Sequence, residues 1–562
     1  MSFRPNALFY TDGYKPGHKR MLAPGTTREY GTWIPRTLKY APKDVKKIVS
    51  FGQGMLVRWI HDIYQENFFS LSRDEAMEFV QDMCLYLRME YDGEHFGELY
   101  DLGYLPIRIK SLPEGIETVP NIPHMTFINT VDGFAWLTLY LETIISSLAW
   151  KPSTSATLAL QYKRNLYNWV MRTDPDNAWL IPYLAHDFSA RGLDPFSMLS
   201  SGLGHATSFR GSDTMIVIPG ARYYYGEPKG QVCINSVNAS EHSVTCTGIF
   251  YYQEKLKSGS LNYEIEKYYS FDIPCDGSID NPDYLAIAEW LNLRDWLHKF
   301  PKSILSYVCD TFNTWKLITY ILPRLKDEIM SRDGKLVIRP DSGDPIDIIC
   351  GNITLNEEDG EKFEYVLFND KNNPRTPEQK GVIELLYDIF GGITNEQGYK
   401  VLDSHIGAIY GDSITLDRQI QIYERLANKQ FASTNIVLGV GSFTYQYNTR
   451  DTFGWAAKGA WFETKEMLYH EDGQINMEIV KSFNIYKDPI TDRDANGQST
   501  KKSLKGLQAV FQDENGEYYV KSECTWEEEN TGLLQTIYED GSFYNETTLT
   551  EIRAKIDLLC QK

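Results

Sequence analysis

The sequence predicts an α/β fold built on a parallel sheet, either open or closed into a barrel. From about residue 180 to residue 452, short apolar runs that end in polar residues alternate with helical stretches. Such alternation is typical of parallel strands joined by crossover helices. The chain also has 562 residues, of which 42% are hydrophobic and 23% are charged. This composition excludes a largely disordered protein, and the length allows two large domains.

The two ends of the chain have a different character from its centre. The N-terminal third mixes short strands with helices, and one helix is predicted over residues 153–172. Its apolar residues from Leu158 to Trp169 are spaced by four, four and three positions, and Pro152 precedes it. The tail after about residue 455 is mixed again and ends in a predicted helix over residues 551–559.

Five apolar runs in the central part are predicted strands. They cover residues 232–234, 303–309, 335–338, 407–410 and 435–438, and each leads into polar residues. Ligands bind at the carboxyl ends of parallel strands, so these polar residues should converge. Two polar stretches, 270–299 and 352–379, interrupt the alternation and are predicted to be insertions.

Charge and cysteine usage exclude several classes of protein. The chain has 56 basic and 76 acidic residues, a net charge of −20. Duplex-binding proteins need clustered Lys and Arg, so this balance argues against a nucleic-acid partner, although a local basic cluster can still bind a small anion. Eight scattered cysteines without a CxxC spacing favour a reduced, cytoplasmic protein. We expect neither a signal core nor a membrane span.

Two glycine-containing loops are candidates for phosphate binding. Gly411-Asp412-Ser413 and Gly439-Val440-Gly441-Ser442 each follow a predicted strand, and the first opens a helix. Glycine lets the backbone approach a ligand closely, and free N–H groups at a helix start bind anions. Two successive loops of this kind are typical of the phosphate cup of a barrel. Tight turns with an Asp or Ser cap remain the alternative interpretation of each loop.

Other polar positions can carry chemistry. In Arg339-Pro340-Asp341-Ser342-Gly343, the proline keeps Arg339 extended. The arginine suits phosphate, and the Asp341 carboxylate can accept two sugar hydroxyls; a polar turn is the alternative. His242, between Glu241 and Ser243, can act as acid, base or nucleophile, although a lone loop histidine is more often structural. Phe188 can instead be a core residue, and Asp213 can instead belong to a turn or cap a helix.

In chain order, these positions resemble the nicotinamide phosphoribosyltransferases, a family of type II phosphoribosyltransferases. Each motif is short, but eight in family order over nearly the whole chain are not expected by chance. The matching motifs are Thr11-Asp12-Gly13-Tyr14-Lys15 with His18, His186-Asp187-Phe188 with Arg191-Gly192, Gly211-Ser212-Asp213-Thr214, Glu241-His242-Ser243, Arg339-Pro340-Asp341-Ser342-Gly343, Gly411-Asp412, Thr449-Arg450-Asp451, and Lys487-Asp488-Pro489 continued by Lys501-Lys502.

The resemblance implies a fold, an assembly and a reaction. The fold is an irregular α/β barrel, residues 179–454, which carries the catalytic site. Residues 1–178 and 455–562 form a discontinuous α/β domain that contributes to the interface of a homodimer. The reaction transfers phosphoribosyl from 5-phosphoribosyl 1-diphosphate to nicotinamide and yields nicotinamide mononucleotide and diphosphate in NAD salvage. Mg²⁺ accompanies the diphosphate without a protein metal site, and ATP is a co-substrate.

The resemblance also implies roles for matched residues at the base and at the reacting carbon. Nicotinamide would stack between Phe188 and Tyr14 of the partner subunit, and Asp213 would accept a hydrogen bond from its carboxamide. Asp341 would hold the ribose hydroxyls and, with Asp310, favour the positive charge that develops as diphosphate leaves. His242 would be phosphorylated by ATP, with Glu241 orienting its imidazole.

The remaining implied roles concern the phosphates and the entrance to the site. Arg191 and Arg339 would bind the departing diphosphate. Arg36, Lys458 and Lys487 would reach across the interface and line a charged entrance. The other implied substrate-binding residues are Ser306, Gly411, Asp412, Gly441, Ser442 and Arg450.

Two positions depart from the family pattern. Ala190 stands where a larger aromatic residue is common, which predicts a wider pocket. Ser442 replaces a glycine of the phosphate loop, so backbone donation there requires a φ angle that suits a residue with a Cβ. Two rival functions stay open: a nicotinate phosphoribosyltransferase, and a non-catalytic phosphosugar-binding barrel. Nicotinate would set a carboxylate against Asp213, which disfavours the first rival.

Overall fold

The structure is a computed structural model that describes residues 5–90, 93–274, 276–352, 375–411, 413–469, 475–493 and 504–561. Three parts of the sequence prediction lie outside the described residues: Asp412, the Lys501-Lys502 pair, and most of the predicted insertion over residues 352–379. Two seven-stranded sheets dominate the described part of the chain.

One sheet is antiparallel and uses both ends of the chain. Its strands, from one edge to the other, are Ile475–Asn484, Ala456–Tyr469, Thr26–Ile34, Met125–Asn129, Ile107–Ser111, Gln535–Glu539 and Ser542–Phe543. Strand Thr26–Ile34 pairs with the C-terminal strand Ala456–Tyr469 on one side and with Met125–Asn129 on the other. The boundaries near residues 178 and 455 stay a prediction.

The other sheet is parallel and lies in the central part of the chain. Its strands are β1 (Ala185–Asp187), β2 (Gly211–Ser212), β3 (Asn238–Ala239), β4 (Leu305–Val308), β5 (Leu336–Arg339), β6 (Ile406–Tyr410) and β7 (Ile436–Val440). They run in the order β2-β1-β7-β6-β5-β4-β3. A parallel bridge joins Gly211 of β2 to Asn235, just before β3, so the two edges of the curled sheet meet. The predicted irregular α/β barrel with a second α/β part is confirmed.

Four of the five predicted strands lie where the sequence indicated, and the strand predicted over residues 232–234 is wrong. The edge strand is β3, four residues further on. Cys233 and Ile234 are buried, but they pack in a cluster with Leu203 and with Ile552 of the C-terminal helix. The apolar run therefore belongs to a hydrophobic cluster outside the parallel sheet. An apolar pattern in the sequence does not show which of two hydrophobic clusters a residue joins.

The predicted insertion over residues 270–299 is also wrong in its second half. Tyr284–Lys299 is a helix that packs against helix His242–Lys257 and completely buries Trp290. The prediction rested on the polar character of the stretch, but Glu289 is buried as well and lies 3.5 Å from the Tyr307 hydroxyl on β4. Burial raises the pKa of Glu289 to about 8, so this carboxyl is largely protonated inside the core.

The two helices predicted at the chain ends are confirmed. They span Trp150–Thr173 and Leu549–Cys560. In the described ranges, the other α-helices of eight or more residues are Gln53–Tyr64, Arg73–Leu87, Glu94–Leu102, Pro195–Ala206, Val217–Tyr225, His242–Lys257, Asn262–Tyr269, Tyr284–Lys299, Pro377–Phe390 and Leu416–Asn428. The seven cysteines that the structure describes are all free. Within the described ranges, we find no helix with the length and apolar character that a membrane span requires.

Candidate active site

The carboxyl ends of the parallel strands gather most of the candidate residues. One candidate follows each strand. The candidates lie at one edge of the barrel because parallel strands all end there. In strand order from β1 to β7 these residues are Phe188, Asp213, His242, Asp310, Asp341, Gly411 and Gly441.

A cavity of about 800 Å³ runs through the barrel beneath these strand ends. Phe188, Asp213 and Arg339 line it at the carboxyl end, and Ser306 lines it from within β4. It continues to Trp179 near the amino-terminal ends of the strands. This volume lies within the range of small-molecule sites and exceeds the needs of one flat heterocycle.

The loop that carries Asp213 is held by Asp187, a residue that sequence reasoning passed over. Asp187 is fully buried and accepts hydrogen bonds from the Thr214 hydroxyl at 2.7 Å, the Ser212 hydroxyl at 3.2 Å and the Ser189 N–H at 2.9 Å. Two of these donors flank Asp213, so Asp187 fixes the backbone on both sides of it. Its place in the His186-Asp187-Phe188 motif was the only available signal.

The Asp213 carboxylate is ionised and partly exposed. Burial acts to raise its pKa, but hydrogen bonds from His186 and Ser236 and the nearby charge of Arg339 outweigh burial, and the pKa lies below its usual value. His186 Nε2 lies 2.9 Å from Asp213 Oδ1. The His186 ring also packs 4.6 Å from the ring of Phe188, which brings the aromatic and acidic candidates together.

Asp310 and Asp341 form a second pair of neighbours. The Asp310 side chain is only 6% exposed, and its Oδ2 accepts the Asp341 N–H at 3.2 Å and the Ser342 hydroxyl. The Asp341 carboxylate in turn lies against the backbone of Gly411, where an added Cβ would be 2.5 Å from Oδ1. A residue with a Cβ at position 411 would therefore displace the Asp341 carboxylate from its present position.

His242 begins helix His242–Lys257 and lies between β3 and β4. Its Nε2 is 3.6 Å from Asp310 Oδ1, and its Nδ1 is 3.1 Å from the Thr311 hydroxyl. The expected contact with Glu241 is not found, because the Glu241 carboxylate accepts a hydrogen bond from Ser243 instead. Thr311 and Asp310, which come from the next strand end, orient the imidazole.

The arginines and the second glycine loop lie around this centre. Arg339 donates to the Ser240 carbonyl at 2.7 Å, while Arg191 is exposed in the loop after β1. Ser442 begins the short helix Ser442–Tyr445, so it has a helical φ angle and its Cβ is accommodated. The φ angle at Ser442 therefore suits a residue with a Cβ, as backbone donation from this position requires.

The candidates for the entrance form two further groups. Lys15 Nζ lies 2.9 Å and Lys458 Nζ 3.5 Å from the Glu142 carboxylate, next to Tyr14, whose side chain is exposed. Arg36 donates to the Gly454 carbonyl.

Burial lowers the pKa of Arg36, and the charge of Arg450 lowers it further. Lys487 is exposed after strand Ile475–Asn484. In the described part of the chain, no hydrogen bond or ion pair joins Tyr14, Arg36 or Lys458 to the residues at the strand ends.

Comparison with known proteins identifies relatives along the whole chain. A profile of the nicotinate phosphoribosyltransferase (NAPRTase) family matches residues 183–523. A nicotinamide phosphoribosyltransferase of Acinetobacter baylyi is 36% identical over 574 aligned residues, which cover 99% of this chain and 98% of the relative. Proteins of the same name are 30% identical in Mycoplasma pneumoniae, over 77% of this chain and 75% of theirs, and 27% identical in Xanthomonas campestris, over 99% of both chains.

Proposed function

The chain belongs to the nicotinate phosphoribosyltransferase family, and we propose that it transfers phosphoribosyl from 5-phosphoribosyl 1-diphosphate to nicotinamide. The Asp213 carboxylate, hydrogen-bonded to the His186 imidazole that also packs on Phe188, is the observation that carries this choice of base. A carboxamide NH₂ can donate to that carboxylate, whereas nicotinate would bring a second negative charge against it. The relatives named nicotinamide phosphoribosyltransferase support the same choice.

The proposed reaction replaces one bond at the sugar carbon C1. The bond to the diphosphate oxygen breaks, the lone pair of the pyridine nitrogen forms the new bond, and positive charge develops on the ribose in between. Asp341 would hold the ribose hydroxyls, and the Asp341 and Asp310 carboxylates would favour that charge. Arg191 and Arg339 would bind the leaving diphosphate. The ring nitrogen carries no proton, so no general base is needed.

Mg²⁺ is proposed to accompany the diphosphate. Among the described residues, no three His, Cys, Asp or Glu side chains are grouped closely enough to hold a metal ion. Arg191 and Arg339 would hold the diphosphate that brings the cation. When bound, the cation would neutralise charge on the leaving group.

The test is a product assay with purified full-length protein, Mg²⁺ and 5-phosphoribosyl 1-diphosphate. We expect nicotinamide to yield nicotinamide mononucleotide and one equivalent of diphosphate, with kcat/KM at least ~100-fold above that for nicotinate, since one unfavourable charge pair costs a few kcal/mol. Faster turnover of nicotinate would identify the rival transferase. Binding of the substrate without release of diphosphate would identify a non-catalytic barrel.

We further propose that ATP phosphorylates His242 and that hydrolysis of this group tightens substrate binding. An imidazole nitrogen would bond to the γ-phosphorus while ADP leaves, and water would later take the phosphoryl group. The contacts of His242 with Asp310 and Thr311 support this role, because they orient a half-exposed imidazole at the rim of the strand ends.

His242→Ala is expected to abolish the stimulation of nicotinamide turnover by ATP, and the activity without ATP should fall far less. The reason is that the variant removes the only proposed acceptor of the γ-phosphoryl group. Initial rates with and without ATP measure the effect. His298→Ala is the matched control, since His298 is exposed and pairs with Glu328. Stimulation that persists in His242→Ala would rule out the phosphohistidine.

A homodimer in the cytoplasm completes the proposal. Lys15, which follows Tyr14, and Lys458 both pair with Glu142. Among the described residues, Tyr14 and Lys458 form no hydrogen bond or ion pair with the strand-end residues of their own chain. We propose that Tyr14, Arg36, Lys458 and Lys487 complete the site of the partner subunit, whereas Arg450 binds the phosphate. Full activity of a monomer in sedimentation at assay concentrations would contradict this arrangement.

A further inference from the structure

His186 lies beside the carboxylate on which the choice of base depends. It is in the middle of β1, its side chain is only 10% exposed, and it lines the barrel cavity. Its Nε2 is 2.9 Å from Asp213 Oδ1, and its ring packs against Phe188 with 4.6 Å between the ring centres. One imidazole thus contacts both residues proposed to hold the nicotinamide ring.

We propose that His186 is a positioning residue that determines base selectivity by holding the Asp213 carboxylate in one orientation. This inference rests on the proposed function. Nε2–H donates to Oδ1, and the Ser236 hydroxyl donates to the same oxygen. Neither donor takes Oδ2, which is left to accept the hydrogen bond from the carboxamide.

The tautomer follows from the partners. A carboxylate oxygen only accepts hydrogen bonds, and Asp213 is ionised, so Nε2 of His186 must carry the proton. The opposite nitrogen faces Gly211 of β2, where an added Cβ would be 2.9 Å from Nδ1. The ring is therefore confined between the backbone of Gly211 and the ring of Phe188, and its donor keeps one direction.

Arg339, a cation near Asp213, does not fix the orientation of the carboxylate. Arg339 is close enough to lower the pKa of Asp213, but its guanidinium donates to the Ser240 carbonyl. In the described residues it forms neither a hydrogen bond nor an ion pair with Asp213. Arg339 therefore adds charge, whereas His186 and Ser236 set the orientation.

The orientation explains how one carboxylate both attracts nicotinamide and rejects nicotinate. Two donors on Oδ1 keep the group ionised and prevent its rotation. A ligand meets only Oδ2, an acceptor without a proton to share. Nicotinamide satisfies that acceptor, and nicotinate cannot. Without the donor on Nε2, the carboxylate could turn or take up a proton. Both the attraction of nicotinamide and the rejection of nicotinate would then weaken.

The test compares two substitutions at His186. His186→Phe keeps a ring against Phe188 but removes the donor, and we expect KM for nicotinamide to rise ~10-fold and the nicotinamide-to-nicotinate ratio of kcat/KM to fall ~10-fold. We expect kcat and KM for 5-phosphoribosyl 1-diphosphate to change less than ~3-fold, because the sugar and phosphate contacts lie elsewhere. His186→Gln restores an N–H near the position of Nε2 and should recover most of the ratio.

Each outcome decides between two roles. An unchanged ratio in His186→Phe, or an equal loss in His186→Phe and His186→Gln, would mean that His186 acts by packing and would overturn the proposal. Ser236→Ala removes the other donor without touching the histidine, and a ~3-fold shift of the ratio in the same direction supports the proposal even where His186→Phe does not fold. Wild-type protein that prefers nicotinate would refute the proposed function itself, before any variant is compared.

Discussion

Asp341→Ala is expected to lower kcat/KM for 5-phosphoribosyl 1-diphosphate by roughly 10²- to 10⁴-fold. The Asp341 carboxylate would accept two ribose hydroxyls, and each hydrogen bond to a charged group is worth about 1.5–3 kcal/mol. Their sum, at about 1.4 kcal/mol per factor of ten, gives that range. Steady-state kinetics with saturating nicotinamide measure the loss.

The same loop contains the control for this prediction. Asp344 is three residues further on, and its carboxylate accepts the Ile346 N–H at 2.9 Å at the start of helix Pro345–Cys350. Asparagine caps a helix about as well as aspartate, so Asp344→Asn should stay within about twofold of the wild type. If Asp341→Ala also stays within tenfold, Asp341 does not hold the ribose.

Four strands of the parallel sheet were predictable because they have a local signature. β4, β5, β6 and β7 are short apolar runs that end in polar or glycine residues, and the structure has them within one or two residues of their predicted positions. β3 was missed because Asn238–Ala239 has only two residues, both exposed, so no apolar run marks it. Such a strand is defined by its neighbour β4, which a sequence pattern does not contain.

The site was predictable as a set of strand ends but not as a set of contacts. The order of strand and polar loop was enough to place Asp310 and Asp341 at one edge. Asp213 was not placed in this way, because the short strands Ala185–Asp187 and Gly211–Ser212 were not predicted. The roles of Asp187 and Thr311 depend on hydrogen bonds to residues brought close by the barrel. Thr311 is 69 residues from His242, whereas Glu241, the adjacent candidate, pairs with Ser243. Adjacency in sequence was a poor guide to the partner of the imidazole.

A buried ion pair joins the antiparallel sheet to a helix near the C-terminal end of the chain. Lys110 Nζ, on strand Ile107–Ser111, lies 2.6 Å from Glu529 Oε2 and 2.7 Å from Asn530 Oδ1. The side chains of the pair are 8% and 2% exposed, and they are 419 residues apart in sequence. Glu529 belongs to the short helix Trp526–Thr531, which packs against strand Leu507–Gln512.

Glu529→Ala is therefore expected to lower the free energy of unfolding by about 3–5 kcal/mol, because it leaves the Lys110 ammonium buried with one neutral acceptor. Urea unfolding followed by tryptophan fluorescence measures the change. Lys521→Ala is the control: its partner in an exposed pair is Glu528, the side chains are 50% and 39% exposed, and the cost should be under about 1 kcal/mol.

The double variant Lys110→Met with Glu529→Leu should recover most of the loss, because the penalty comes from an unpaired buried charge and not from the missing attraction. A Glu529→Ala effect no larger than that of Lys521→Ala would show that the pair is hydrated in solution and does not hold the chain ends together.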